Sequence, residues 1–187
     1  KYQPAMEKVR TGGRGFVRLD ILHMENLIEV LKDFDIKGVT ETELNYLNRA
    51  WHRLLPWSDS VPGLLRLKKK FIIGTMSNGN VALMVNMAKN GGLPWDVILG
   101  AEPAQAYKPE PKTYLTGVDW LNLKPSEVLM CAAHNADLVA AGAQGLKTAF
   151  IARPTEYGPN QKHDFEAEHD FDYISENILD LADKLGC

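Results

Sequence analysis

The stretch FIIGTMSNGN at residues 71–80 constrains the fold more than any other part of the chain. Lys68, Lys69 and Lys70 lead into a short apolar run that stops abruptly at Ser-Asn-Gly-Asn. Such a run between turn residues reads as a buried strand, although periodicity alone leaves a buried helix segment open. Gly79 and the helical spacing of Val81, Met84, Val85 and Ala88 settle the choice. A strand, a tight turn and a helix form the first half of a parallel α/β unit. Open parallel sheets take ligands outside the carboxyl ends of their strands. Ser77 and Asn78 therefore stand where polar groups and free helix N–H groups could face an anion. The same two residues would serve equally well as plain helix caps.

Either side of this unit the chain changes character. Residues 4–9 are a short helical segment followed by TGGRG, read as a flexible turn because no buried strand precedes its glycines. Phe16, Leu19, His23, Leu27, Val30 and Phe34 share one helix face, with His23 read as a hydrogen-bonded packing residue. Thr40 and Glu43 form a capping box opening a helix through Leu44, Leu47, Trp51 and Leu54, which Pro56 ends. Residues 1–56 are thus helical, without a strand of their own. From Pro56 onward helix and strand alternate: helix 61–70, strand 71–76, helix 81–90 stopped by Gly91-Gly92, strand 97–100, and a helix from Pro111 to about Leu121. A buried strand 128–133 runs into His134-Asn135-Ala136-Asp137, followed by helix 138–144, strand 148–152, a long polar loop and strand 173–174. Ser175 is the expected cap of a last helix that turns Ile178, Leu181, Ala182 and Leu185 inward.

Composition narrows the function classes. A chain of 187 residues suits one α/β domain with a small accessory part, and 45% hydrophobic residues suffice for a core. A net charge of −3 argues against nucleic-acid or membrane-surface binding. No apolar run approaches the roughly 20 residues of a membrane span. Cys131, placed in a buried strand, and Cys187 make no disulfide framework, which points to a reducing, cytoplasmic setting. The chain opens on Lys1 rather than Met, which suggests a fragment or a processed product.

Three polar clusters follow buried strands: Ser77-Asn78, Lys108, and His134-Asn135 with Asp137. Parallel neighbouring strands would bring all three to one crevice. With these clusters, SNGN at 77–80, YKPEPKTY at 107–114, AAHNADLVAAGAQG at 132–145, RPTEYGP at 153–159 and PWSDSVPGLLRLK at 56–68 resemble the haloacid dehalogenase superfamily, and within it the L-2-haloacid dehalogenases. The resemblance covers essentially the whole chain. It implies a Rossmann-like α/β core with an open parallel sheet at residues 57–187 and a helical cap at 1–56.

By motif position, the resemblance makes Ser77 a binder of the substrate carboxylate and Asn78 a holder of the departing halide. Lys108 would pair with the nucleophilic carboxylate, and Tyr114 would support the site. His134, Asn135 and Asp137 would lie beside an ester intermediate, with Asp137 positioning or activating the hydrolytic water. The implied reaction is hydrolysis of small 2-haloacids to 2-hydroxy acids, without a cofactor, by attack of an Asp, inversion and ester hydrolysis. Relatives of this type include enzymes acting on fluoroacetate, and a homodimer fits the family. The family's nucleophile, an Asp in a D-x-x-x-T motif ending the first core strand, has no counterpart in residues 1–187, nor has the cap arginine it associates with halide. The 187 residues alone are accordingly expected to be inactive. That strand would lie between those ending at Met76 and Ala133, which should therefore not be hydrogen-bonded to each other. Two rivals remain: a phosphatase of the superfamily, and a truncated relative that only binds. The phosphatases carry an acidic residue four positions before the one matching Asp137, where this chain has Ala133, so no bound Mg²⁺ is expected.

Overall fold

The computed structural model describes residues 2–187. Helices α1 (Tyr2–Arg10), α2 (Leu19–Asp33) and α3 (Glu41–Asn48), with a 3₁₀ turn at Arg49–Arg53, form the helical layer. The capping box at α3 forms as the sequence reads: the Thr40 hydroxyl accepts from Glu43 N–H at 3.3 Å, and Thr40 N–H donates back to Glu43 Oε2 at 2.8 Å. Helix α4 (Ser60–Leu67) then leads to β1 (Gly74–Ser77), α5 (Val81–Gly91), β2 (Val97–Gly100) and the short α6 (Ala101–Ala104). Next come α7 (Pro111–Trp120), β3 (Leu129–Ala132), α8 (Asn135–Gly142), β4 (Lys147–Ile151), β5 (Tyr173–Ser175) and α9 (Ile178–Lys184).

Every strand pairing is parallel: β1 with β2 in one sheet, and β3–β4–β5 in another. Among the described residues no ladder joins β1 to β3, the relation expected for the strands ending at Met76 and Ala133. Helix α7 bridges the two sheets, because its Tyr114 and Val118 sit in one core with Met130 of β3 and Phe150 of β4, and Met76 of β1 packs against that core. A second core joins the helical layer to the α/β part: Met6, Leu19 and Leu22 pack with Leu83, Ala101 and Tyr107. Leu64, Leu67, Ala149, Ile151 and Leu181 form the third, between α4, β4 and α9.

Several local expectations shift. The strand read at 71–76 starts later, because the chain leaving α4 keeps a helical bond from Phe71 N–H to the Leu67 carbonyl and leaves Phe71 and Ile72 exposed. Asn177, not Ser175, caps α9, its side chain accepting from Asp180 N–H at 2.9 Å; Ser175 is buried in β5. Cys131 is exposed, since alternation along β3 turns Met130 into the core and Cys131 to the opposite face. The apolar face of α2 is buried only at its start: Leu19 and Leu22 are covered, whereas Val30 and Phe34 are exposed, as are Leu47, Trp51 and Leu54. His23 stacks on Trp51, ring centroids 5.0 Å apart. No helix of the described residues is long and apolar enough to cross a membrane.

Candidate active site

The carboxyl end of β1 continues into the turn Ser77–Asn80, and neither Ser77 nor Asn78 caps α5. That helix instead receives a carboxylate from elsewhere: Val81 N–H donates to Glu102 Oε2 at 2.7 Å, where negative charge suits the helix N-terminus. Ser77 Oγ accepts from Gly79 N–H at 3.0 Å, which leaves its hydroxyl proton as a donor. Asn78 reaches across the crevice, and its Oδ1 accepts the backbone N–H of Lys108 at 2.8 Å. Asn80 turns the other way. It is buried and holds Asp20 of α2, donating to Oδ2 at 2.9 Å; His52 meets the other Asp20 oxygen at 3.0 Å.

Lys108 lies in a loop fixed at both flanks. Tyr107 is fully buried and donates its hydroxyl to the Val17 carbonyl at 2.7 Å, and Thr113 Oγ1 donates to the Ala106 carbonyl at 2.9 Å. From this loop the Lys108 ammonium forms an ion pair with Asp137 Oδ2. Asp137 stands in the first turn of α8, and its Oδ1 accepts the hydroxyl of Tyr114 from α7 at 2.6 Å. Both charged side chains are largely covered, Lys108 at 17% and Asp137 at 13% exposure. A pair so placed depends on complete pairing, because removing one partner strands the other's charge out of water. Burial, reinforced by the bond to Asp137 and its negative charge, raises the Tyr114 phenol well above the ordinary tyrosine range; the Arg10 cation acts in the opposite direction. Tyr114 is therefore a neutral donor at any working pH.

His134 and Asn135 do not join this group. His134 Nε2 lies 3.0 Å from Glu156 Oε1 and 3.1 Å from the Tyr157 hydroxyl, on the loop after β4. Asn135 is buried and fastens the same loop: its side-chain amide donates to Asp164 Oδ1 at 3.0 Å and to the Glu166 carbonyl at 3.1 Å, and its Oδ1 accepts from Glu168 N–H at 2.8 Å. Of the residues singled out from the sequence, the fold thus links Asn78, Lys108, Tyr114 and Asp137 directly. Ser77 adjoins them through the backbone, and His134 and Asn135 anchor the neighbouring loop.

Sequence reasoning passed over Arg10. From the last turn of α1 its Nε and Nη2 donate to the Lys108 carbonyl at 3.0 and 2.6 Å, and its Nη1 meets Glu7 at 3.1 Å. One turn earlier, Met6 Sδ lies 3.8 Å from the Asn78 amide nitrogen. The signal was the i, i+4 pair of Met6 and Arg10, which a helix places on one face.

Fold and site together define an α/β protein whose charged groups gather where parallel strands end, the place where such sheets work on small molecules. The chain belongs to the haloacid dehalogenase-like hydrolases, whose family model matches residues 2–143. It is similar to the crystal structure of the defluorinating L-2-haloacid dehalogenase Rha0230, with 50% identity and a TM-score of 0.97, covering 100% of this chain and 77% of that one. The L-2-haloacid dehalogenase PA0810 is 46% identical with a TM-score of 0.97, covering 99% of this chain and 79% of that one. Among curated relatives, (S)-2-haloacid dehalogenase 1 of Pseudomonas sp. (strain CBS-3) is 32% identical over 142 residues, 73% of this chain and 62% of the relative. The chain thus spans less than two thirds of that relative's length.

Proposed function

We propose that this protein removes halogen from small 2-haloacids by hydrolysis, giving 2-hydroxy acids and halide. The observation that carries the reading is the covered Lys108–Asp137–Tyr114 group, tied through Lys108 to Asn78 at the strand ends. Likeness to enzymes described as L-2-haloacid dehalogenases supports it. In the first step a carboxylate oxygen bonds to the halogen-bearing carbon as the carbon–halogen bond breaks, and the halide leaves with the electron pair. Asn78 would steady the halide through its amide, and Ser77 would donate to the substrate carboxylate. In the second step water attacks the ester carbonyl, releasing the 2-hydroxy acid and restoring the enzyme carboxylate.

Asp137 suits the second step better than the first. Both of its oxygens are engaged, one by Lys108 and one by Tyr114, which orients the carboxylate as an acceptor for a water proton. The attacking carboxylate would then come from a D-x-x-x-T element, for which residues 1–187 hold no candidate. His134 and Asn135 would act by keeping the loop of Asp164 against the site.

The test is fluoride and chloride release from fluoroacetate and chloroacetate, by the 187-residue chain and by a form extended at its N-terminus with a D-x-x-x-T strand. Release is expected from the extended form alone, independent of Mg²⁺, and lost when either the added Asp or Asp137 becomes Asn. Release by the 187 residues alone would show that the nucleophile is misassigned. A folded, silent extended form would refute the dehalogenase reading.

A further inference from the structure

The Lys108 backbone is gripped on both sides. Its N–H is held by Asn78 Oδ1 at 2.8 Å, and its carbonyl accepts two donors from one guanidinium, at 3.0 and 2.6 Å. Among the described residues, the two hydrogen bonds to that carbonyl both come from Arg10, a residue 98 positions earlier in the chain. The Arg10 side chain is only 16% exposed, and its remaining Nη1 is occupied by Glu7. Lysine is a point charge on a flexible four-carbon stem, so aiming its ammonium depends on where its backbone is held. A planar guanidinium loses less freedom per bond than an ammonium would, and it does not deprotonate at any working pH.

We propose that Arg10 is a positioning residue: its guanidinium, bound twice to the Lys108 carbonyl, sets the backbone from which the Lys108 ammonium reaches Asp137. The first helix is thereby coupled to the reacting groups. A movement of α1 that draws Arg10 away frees the carbonyl side of Lys108 and loosens the ammonium from Asp137. Met6, on the same face of α1, touches Asn78, the residue that holds the other side of the Lys108 backbone. Both grips on Lys108 therefore answer to one helix.

The decisive readout is the Nζ resonance of Lys108 in nitrogen-edited NMR of the chain, assigned by its loss in Lys108→Met. In the native protein it is expected to stand apart from exposed lysines and to exchange slowly, because the ammonium is covered and paired with Asp137. Arg10→Met keeps an apolar stem and removes every donor; it is expected to move the resonance to the exposed-lysine position while the fold persists. Arg10→Lys, which keeps a single donor nitrogen in place of the guanidinium fork, gives an intermediate signal. An unshifted Lys108 resonance in folded Arg10→Met or Arg10→Lys overturns the proposal. A second, kinetic arm rests on the dehalogenase reading and uses the halide-releasing form. There Arg10→Ala lowers kcat on the order of 10²-fold, the effect of about 1 Å of misplacement, with KM little changed. Millimolar guanidinium ion restores part of that loss and equal sodium chloride does not; equal rescue by both salts counts against the proposal. If no form releases halide, the dehalogenase reading falls, and the resonance still decides the role of Arg10.

Discussion

Replacing Tyr114 by Phe removes one oxygen atom and tests how the site is held together. The ring is fully buried in a core with Val118, Met130, Leu138 and Phe150, and Phe preserves that packing. What is lost is the 2.6 Å hydrogen bond to Asp137 Oδ1, which leaves a covered carboxylate oxygen without that donor while Lys108 still holds the other. Hydrogen bonds to charged groups contribute roughly 1.5–3 kcal/mol, so a loss of about 2 kcal/mol is expected at neutral pH. In a chain of this size that lowers Tm by about 4–8 °C. The alkaline limb supplies a second signature. The phenol is raised in the folded state, so its contribution is fully present below the unfolded value of about 10 and declines as pH rises above it toward the folded value. In that window each pH unit costs about 1.36 kcal/mol from this group, and Tyr114→Phe lacks that slope. The assay is denaturant unfolding of both proteins from pH 7 to 11. Stabilities within about 0.5 kcal/mol of each other, with identical alkaline slopes, would refute the coupling between Tyr114 and Asp137.

Two further perturbations probe the surroundings of the site. Burial pushes the Asp164 carboxyl up, but hydrogen bonds from Asn135 and His163, helped by the nearby His134, outweigh it and leave the group below its ordinary range. Its contribution is therefore fully present above about pH 4 and lost progressively as pH falls through the lowered folded value; Asp164→Asn, which tolerates the left-handed backbone at φ 57°, should cost roughly 1–2 kcal/mol at pH 7 and less at pH 3 by urea unfolding. Gly100 ends β2 at φ 128°, where a Cβ would lie 2.1 Å from the Ser77 carbonyl oxygen; Gly100→Ala should cost roughly 3 kcal/mol or more and disturb the turn at Ser77, seen as a lowered Tm.

The order of elements was legible along the chain because the signals that set it are local. The SNGN turn, the Thr40–Glu43 capping box and Gly92, left-handed at φ 69° where α5 stops, act through backbone dihedrals and neighbours three or four residues away. The same locality let the strand-end clusters and their family motifs be found, and with them Lys108, Asp137, Asn78 and Tyr114. Pairings were another matter. Asp137 lies 29 residues from Lys108, and Arg10 lies 98. No periodicity records which loop comes to face which, so Arg10 read as the end of a short helix beside a flexible turn. Asn135 shows the converse, since its position beside Asp137 suggested a shared role, and packing turned it toward Asp164 instead. The apolar stripe of α2 reads as a full core face, yet only its first turns meet Met6 and Leu83, and Phe34 stands in solvent. Dihedral preferences and helical or strand spacing are properties of adjacent residues, and the sequence determines them by itself. Which covered charge meets which partner, and which apolar face finds a neighbour, depends on how distant segments cross, and only the tertiary structure decides that.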